Sequence, residues 1–443
     1  AAAAPPRRAA TPSCLVRPMS PLRHTNPPRQ GSAARLLARL ASGLALVAVA
    51  APHAARATEP PVVAMGASGL QVASADGRHG LRLGALVQAG VLGAPGDPNG
   101  TVQSGFSVRR ARFDIRLQTA RVFHLRVQPE VAGDRLTLLD GSIDWAPEPW
   151  FVARVGKQKV PIGFEQAQTP GAIAFLERGL TTALVPRRDV GVSVHADAAE
   201  RRVRLAVGLF NGAADTAAAN DNAPDESFEV AARVAVYPWA ASEGALRRVQ
   251  AGVAATVGIG GDDGAHPLAA GYRTAGRATL FRCANETVAA DGTATRLSAF
   301  LHAPIGPVLV YGDAVHNAAP ATSQAADDTT LAHVAWLAGA SFVLGGEPTE
   351  SGVVPAHDAG PDGHGAFELR VRATALHIDR DAFDGFAADG SFVRATELGA
   401  GVTWWASRGV RWLNDLYHTG LKAPDGGIDR DEWVLWSAWQ VAL

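Results

Sequence analysis

Cysteine is nearly absent from this chain, and its scarcity limits how the fold can be held together. The 443 residues include two cysteines, Cys14 and Cys283. Cys14 lies within a predicted N-terminal signal, and Cys283 would then have no partner in the chain. This excludes a small secreted scaffold held by disulfides, which needs several paired cysteines. Lysine is also rare, with Lys157, Lys159 and Lys422 in the whole sequence, so arginine supplies nearly all of the positive charge.

Long apolar runs and familiar catalytic motifs are missing as well. Although 47% of the residues are hydrophobic, no segment beyond the N-terminal region could form a spanning helix. The sequence contains no P-loop, nucleophile elbow or dinucleotide-binding fingerprint. His357, Asp358, Asp362 and His364 lie in a stretch rich in glycine and proline, and their spacing matches no common ligand set. We therefore expect a protein that is not an enzyme and that binds neither a cofactor nor a metal.

The N-terminal region has the features of an export signal. Arg35 and Arg39 precede an apolar segment that ends at Ala51, and a small-x-small cleavage pattern ends at Ala57. We predict a disordered extension plus signal peptide over residues 1–57, cleaved after Ala57. These residues carry eight arginines and no acidic residue, so cleavage changes the formal net charge from −1 to −9. An acidic exported chain is not expected to bind nucleic acid.

Charged and apolar residues alternate strictly between Phe106 and Glu130. In the first half Arg110, Arg112, Asp114 and Arg116 share one parity, and Ala111, Phe113, Ile115 and Leu117 share the other. After a turn near residues 118–120 the alternation resumes and includes Arg126. A period of two residues is typical of a strand, whereas a helix would scatter the arginines around its circumference. The stretch predicts a β-hairpin with one apolar face and one charged face.

The same alternation recurs to the end of the chain, and the connections are alternately short and long. This arrangement is typical of an up-and-down barrel that crosses a bilayer. If Phe281 to Val288 lies in a loop, the count is sixteen strands, and an even number puts both termini on the periplasmic side. We predict an all-β fold: a periplasmic lead-in over residues 58–79, then a closed up-and-down transmembrane β-barrel of about 16 antiparallel strands over residues 80–443. Trp145 and Trp150 flank a predicted short turn, as in an aromatic girdle.

One connection, from Val160 to Asp189, is unusually long. Loops of about 30 residues are uncommon unless they are functional or disordered. A barrel of this width leaves an open interior, so we predict that the long loop is folded toward the lumen. Its charged residues are candidates for a constriction: Glu165, Glu177, Arg178, Arg187 and Arg188. The alternative is a solvated outer loop.

Several stretches, spread in order over the chain, carry a family resemblance. They are FSVRRARFDIRL (106–117), RVGKQKVPIGFE (154–165), FLER (175–178), DVGV (189–192), GLFNG (208–212), FVLGGE (342–347), GAFELRVRATALHID (365–379) and GVTWWASRGVRW (401–412). Together they resemble the phosphate-selective porin O and P family of Gram-negative outer membranes. The resemblance implies a sixteen-stranded homotrimeric channel in the outer membrane lipid, with basic residues along a path for anions such as phosphate.

The strand parities give a candidate path for anions. The basic residues expected at the lumen are Arg110, Arg112, Arg116, Arg126, Arg154, Lys159, Arg370 and Arg372. Guanidinium groups offer fixed forks of donors to oxyanions and raise their local concentration in a confined channel. The alternative is that each arginine only braces the inner wall through nearby carboxylates. Arg109 has the opposite parity, so it must either reach the membrane surface or be turned inward by a β-bulge.

We predict an outer-membrane porin for passive diffusion of small hydrophilic solutes, with a preference for phosphate or similar anions. Two alternatives stay open from the residues alone. An outer-membrane barrel hydrolase would need a serine, a histidine and an acid converging at one rim. A secreted soluble β-protein or adhesin would need no membrane and would dissolve in plain buffer.

Overall fold

The computed structural model describes residues 60–66, 69–95, 102–133, 135–217, 228–260, 271–284, 288–289, 292–323 and 326–443. The predicted signal peptide and its cleavage after Ala57 lie outside the described residues. Within these ranges, no helix has the length and apolar character that a membrane-crossing helix requires.

Sixteen antiparallel strands form one closed barrel. They are β1 (Gly80–Gly93), β2 (Gly105–Thr119), β3 (Phe123–Glu130), β4 (Thr137–Glu148), β5 (Phe151–Gln158), β6 (Asp189–Ala198), β7 (Val203–Phe210), β8 (Phe228–Val236), β9 (Gln250–Gly260), β10 (Gly292–Ile305), β11 (Val308–Ser323), β12 (Ala326–Leu344), β13 (Ala366–His377), β14 (Arg394–Trp405), β15 (Val410–Lys422) and β16 (Arg430–Ala442). Each strand pairs with the next, and β16 pairs back onto β1 from Leu435↔Gly93 to Ala442↔Leu86. The predicted fold class and strand number are confirmed.

The predicted alternation of faces is present in the barrel wall. Along β13, Glu368 and Arg370 are buried toward the interior, whereas Leu369 and Val371 are exposed on the outer surface. Closing the sheet pairs the backbone polar groups between strands, so no unpaired edge faces the hydrocarbon. The outward apolar residues can therefore contact lipid tails without exposing backbone hydrogen-bonding groups.

Tryptophans lie on both sides of this wall. Trp145 lies exposed near the turn between β4 and β5, and Trp412 stacks on Trp439 outside the barrel with ring centroids 5.9 Å apart. These positions fit the predicted aromatic girdle. Trp405 and Trp436, by contrast, point inward and are fully buried, so they belong to the packing of the interior.

The two ends of the barrel differ in the lengths of their connections. Most connections at one end are short, such as residues 120–122 and 149–150, whereas the other end has the two longest connections, 159–188 and 261–291. Leu443 exchanges two backbone hydrogen bonds with Ala85, so this residue lies on the side of the barrel that has the tight turns. In single-chain bacterial barrels that end is periplasmic.

The segment predicted as an irregular lead-in contains a β-hairpin. Strands Val62–Gly66 and Gly69–Ala73 pair with each other, and the second strand pairs with β1 from Leu70↔Leu83 to Ala73↔Gly80. The first strand is exposed at all five positions. A strand with no buried face needs no alternation of apolar and polar residues, which is why the sequence pattern did not reveal it.

Short elements lie within the connections. They are helix α1 (Phe164–Ala167), the 3-10 helices Leu180–Leu184, Ala245–Arg248 and Arg380–Phe383, the strand pairs Tyr272–Arg273 with Thr279–Phe281 and Gly346–Thr349 with Gly352–Pro355, and the strand Val288–Ala289, which pairs with β11. In the described part of residues 281–288, Phe281 and Val288 lie in short strands that are not among the sixteen of the barrel wall, as predicted.

The largest apolar cluster lies inside the barrel. Ile162 and Leu184 of the long loop pack with Phe281 and Phe386 from other connections and with wall residues such as Leu376 of β13. All five side chains are buried. Apolar side chains therefore fill this part of the barrel interior, and open space is left mainly beside β1 to β6.

Candidate functional site

A β-bulge places an additional arginine at the inner wall. Gln88 of β1 pairs with Arg110 of β2, whereas Ala89 pairs with Val108, so Arg109 is the extra residue. A bulge rotates the side chains on either side of it. Arg109 accordingly forms a bidentate ion pair with Glu177 of the long loop. This resolves the parity problem, since Arg109 points into the barrel.

The arginines of β2 to β5 pair with carboxylates from neighbouring positions. Arg112 Nε lies 2.7 Å from Glu130 Oε2, and Arg154 Nε lies 2.6 Å from Asp144 Oδ1. Both pairs join residues directly opposite each other on adjacent strands. These ion pairs brace the wall, as the alternative interpretation of the arginines requires.

Asp114 lies between two arginines that would otherwise repel each other. Arg116 and Arg126 are direct cross-strand partners. Arg116 Nη2 donates to Asp114 Oδ2 at 2.8 Å, and Arg126 Nε donates to Asp114 Oδ1 at 2.9 Å. One carboxylate thus holds two guanidinium groups in fixed positions on the lumen surface.

The long loop enters the lumen and is held against strands β13 and β15 of the wall. Arg372 donates to the carbonyl of Glu177 at 2.9 Å, Arg411 donates to the carbonyl of Ile173 at 3.1 Å, and Arg370 donates to a third loop carbonyl. The backbone N–H of Leu176 donates to Asp415 Oδ2 at 2.8 Å. The loop therefore lies across the barrel, and the alternative of a solvated outer loop is excluded.

Arg370 and Arg372 consequently differ from the prediction that they line the path. They face inward as expected, but neither side chain has exposed surface, and they pair with Asp415 and Glu397 respectively. The loop covers them, and one of its carbonyls accepts a hydrogen bond from each guanidinium group. Glu165 is also covered: its Oε2 accepts from the N–H of Gly179 at 2.6 Å within the loop.

Glu177 is the acidic centre of the loop. Burial alone would raise the pKa of Glu177, but the ion pairs with Arg109 and Arg110 outweigh burial and lower this pKa to about 2. The carboxylate therefore stays charged at neutral pH and fixes the loop against β2.

Two water-accessible chambers lie in the remaining space. The outer chamber, of about 520 Å³, is lined by eight arginines and two glutamates. These are Arg109, Arg110, Arg112, Arg178, Arg187, Arg188, Arg273 and Arg277, with Glu130 and Glu177. Among the described residues, Arg187, Arg273 and Arg277 have no carboxylate within ion-pair distance. The chamber therefore carries a large excess of positive charge.

The periplasmic chamber, of about 510 Å³, is also basic. Its charged lining consists of Arg82, Arg112, Arg116, Arg126, Arg154, Lys159, Arg188 and Arg233, with Asp114 and Asp140. The Lys159 ammonium donates to the carbonyls of Ala167 and Gln168. Burial and the nearby charges of Arg178 and Arg188 hold the pKa of Lys159 well below its usual value.

Arg112 and Arg188 line both chambers and so lie where the chambers meet. Arg112 comes from β2, and Arg188 comes from the end of the long loop. Arg188 is positioned by Asp140 Oδ1, which accepts from its Nε at 2.9 Å. This junction is the candidate constriction of the path.

The structure brings most of the predicted site residues to these two chambers. Of the predicted set, Arg110, Arg112, Arg116, Arg126, Arg154, Lys159, Glu177, Arg178, Arg187 and Arg188 line a chamber, whereas Arg370, Arg372 and Glu165 do not. The prediction missed Arg82, Arg233, Arg273 and Arg277. Arg82 and Arg233 have the inward parity of their strands and were detectable, whereas Arg273 and Arg277 lie in a connection without periodicity.

The arrangement offers charge and hydrogen-bond donors but no reaction centre. In the part of the chain that the structure describes, no cluster of histidine, cysteine, aspartate or glutamate could hold a metal ion. A basic passage with repeated guanidinium groups can attract and release anions along its length.

Comparisons with known structures support the fold. The outer membrane channel DcaP of Acinetobacter baumannii matches with a TM-score of 0.53 at 9% identity, covering 84% of this chain and 99% of that one. OmpT of Vibrio cholerae in its trimer form gives 0.51 at 9% identity, covering 83% and 100%. The anion-selective porin from Comamonas acidovorans gives 0.50 at 12% identity, covering 83% and 100%. At these identities the likeness concerns the fold alone.

Comparison with curated protein sequences gives no match. The family model for phosphate-selective porin O and P, however, matches residues 81–413, which is most of the barrel. Together with the closed sixteen-stranded wall and the loop within the lumen, this match indicates a channel rather than an enzyme. The chain belongs to the phosphate-selective porin O and P family and is an outer-membrane porin of a Gram-negative bacterium.

Proposed function

We propose that this porin prefers anions, and that small oxyanions such as phosphate cross it along the arginines beside β1 to β6. The observation that carries this proposal is the outer chamber, where eight arginines oppose two glutamates. In a narrow aqueous path with walls of low dielectric constant, such an excess raises the local concentration of anions and lowers that of cations.

Wall bracing and anion guidance are compatible in this geometry. A guanidinium group has five N–H donors, and a carboxylate partner occupies only one or two of them. Arg112 uses its Nε for Glu130, and Arg188 uses its Nε for Asp140. The remaining donors can bind a passing oxyanion, while the pairing holds the fork in place.

Two further proposals concern the assembly and the export of the protein. We infer a homotrimer embedded in outer-membrane lipid, supported by the family membership and by the trimer form of the similar OmpT structure. We also infer that the chain is exported by a signal peptide that is cleaved after Ala57.

The reversal potential of the purified channel in a planar bilayer under a potassium chloride gradient tests the anion preference. We expect the reversal potential to lie on the chloride side. A reversal potential on the potassium side would refute anion preference and would leave the porin assignment intact.

The double variant Arg112→Gln with Arg188→Gln tests the junction. An ion about 4 Å from one unit charge gains about 1 kcal/mol in water-like surroundings, which is a factor of about five. We expect the ratio of chloride to potassium permeability to fall about fivefold or more. Arg408→Gln, in the exposed turn between β14 and β15, removes one positive charge outside the lumen and should leave the ratio unchanged. An unchanged ratio in the double variant would assign Arg112 and Arg188 to bracing alone.

A further inference from the structure

A side pocket near the periplasmic end contains an arginine that has no acidic partner. The pocket, of about 470 Å³, is lined by Trp150, Phe164, His195, Arg233 and Tyr237, among others. It adjoins the periplasmic chamber, because Arg233 and His195 line both spaces. A solute that leaves the junction toward the periplasm therefore passes the entrance of this pocket.

Arg233 differs from the wall arginines of β2 to β5. Those arginines pair with carboxylates, but Arg233 makes no hydrogen bond or ion pair with any residue that the structure describes. Its guanidinium carbon lies 4.2 Å from the ring centroid of Phe300 and 5.9 Å from that of Phe164. Stacking on aromatic rings holds the plane of the guanidinium and leaves its N–H edge available for an anion.

The other basic group of the pocket is already satisfied. Arg204 Nη1 donates to Tyr237 Oη at 2.7 Å and to Glu350 Oε2 at 3.2 Å, and Tyr237 in turn donates to Gln250 at 2.8 Å. His195 is hydrogen bonded to Ser193. The two carboxylates of the lining, Asp197 and Glu350, both lie within ion-pair distance of Arg204. The pocket therefore offers one unpaired fork, which suits a ligand with a single carboxylate.

The rest of the lining favours a flat apolar body on that ligand. Trp150, Phe164 and Tyr237 supply aromatic surface at the pocket, and Phe164 is held in place by stacking on Phe300, with ring centroids 4.9 Å apart. A pocket of this size with aromatic walls and a few oriented polar groups is typical of a small-molecule site. Phosphate, which has no apolar surface, would use the guanidinium but not the rings.

We propose that this side pocket is a binding site for small aromatic carboxylates, with Arg233 holding the carboxylate and the neighbouring rings holding the flat body. The proposal rests on the proposed passage of anions through the lumen, since the ligand must enter the barrel. It adds a second station, downstream of the junction, that distinguishes solutes by their apolar part.

Isothermal titration of the detergent-solubilised full-length protein with benzoate tests this site without any ion gradient. We expect saturable binding that is at least about tenfold weaker in Arg233→Gln, because a charge-assisted hydrogen-bond pair is lost. Arg233→Lys should retain part of the affinity. Trp150→Leu should weaken benzoate binding several-fold and leave phosphate binding unchanged. Arg408→Gln serves as the charge-matched control, and heat-modifiable gel migration confirms that each variant is a folded barrel.

Benzoate binding that is absent from the unmodified protein, or unchanged in Arg233→Gln, would overturn the proposal. Benzoate binding that is unchanged in Trp150→Leu would overturn the aromatic part. A chloride-side reversal potential together with absent benzoate binding would refute the pocket alone. Benzoate binding with a potassium-side reversal potential would refute the anion-preferring path alone, so the two proposals fail separately.

Discussion

The two sides of the lumen use the same pairing of arginine with carboxylate for opposite purposes. On the open side, Arg154 and Asp144 keep 28% and 16% of their side-chain surface exposed. On the packed side, Arg370 and Asp415 have none. A pair in contact with water still presents charge to a solute, whereas a covered pair presents charge only to the loop. Position relative to the loop, rather than residue type, decides which arginines can act on a solute.

The loop can cover one side because a barrel of this size is too wide for wall side chains to fill. Gly179 shows how closely the loop approaches the wall, since a Cβ there would overlap Leu337 of β12. Phe175 lies buried against the guanidinium groups of Arg370 and Arg372, 4.9 and 4.7 Å from its ring centroid. The two chambers are thereby displaced toward the arginines of β1 to β6, with Arg233, Arg273 and Arg277 contributed from elsewhere.

The largest effect is expected from breaking a pair on the packed side. Asp415→Asn keeps the shape of the side chain but leaves Arg370 buried without its charge partner. Removing one member of a buried pair typically costs about 3–5 kcal/mol. We expect the midpoint of thermal unfolding, followed by circular dichroism in detergent, to fall clearly, and the single-channel conductance to rise as the loop loosens.

Asp144→Asn makes the same chemical change on the open side and is the matched control. This pair is partly buried and keeps contact with water, which screens it, so we expect a clearly smaller loss of stability than in Asp415→Asn. Equal losses of stability in the two variants would contradict the distinction between a packed and an open side.

The second largest effect is expected from lowering the pH, which should weaken the ion pairs of Glu177 between the long loop and β2. The pKa of Glu177 is lowered from 4.5 to about 2, so its ion pairs stabilise the fold fully above about pH 4.5 and are lost as the pH falls through 2. This contribution is on the order of 3 kcal/mol. We expect thermal unfolding measured from pH 7 to pH 2 to show this loss.

Glu177→Gln provides the comparison for that experiment. The variant should be less stable at pH 7, since Arg109 loses its partner, and its stability should fall less between pH 4.5 and 2. A parallel decline in both proteins would show that other carboxylates govern the acid response.

The barrel wall was predictable from the sequence because its physics is local. Alternation of two residues assigned an inward face to Arg112 and an outward face to Phe113 without knowledge of any partner. The same rule found all sixteen strands. It failed for Val62–Gly66, where neither face is buried.

The division of the lumen was not predictable in this way. Arg370 and Arg154 both have inward parity, yet only Arg154 remains open to water. The difference depends on loop carbonyls that lie far away in sequence, such as the carbonyl of Ala174 that Arg370 contacts. Arg109 was ambiguous for a related reason, since the bulge that turns it inward is a property of strand pairing.

The smallest effect is expected from raising the salt concentration, which should act on the open side of the lumen and hardly on the packed side. The Debye length is about 10 Å at 0.1 M and about 3 Å at 1 M, so added salt screens the exposed arginines of the chambers far more than the buried pairs. We expect the ratio of chloride to potassium permeability to decline toward its value for free diffusion as the salt concentration rises from 0.1 M to 1 M. The decline corresponds to a loss of about 1 kcal/mol or less of electrostatic free energy. The midpoint of thermal unfolding should change little over the same range. If selectivity instead persists at 1 M salt, anions must bind the guanidinium groups at Arg112 and Arg188 in direct contact, because a contact pair leaves no room for screening ions.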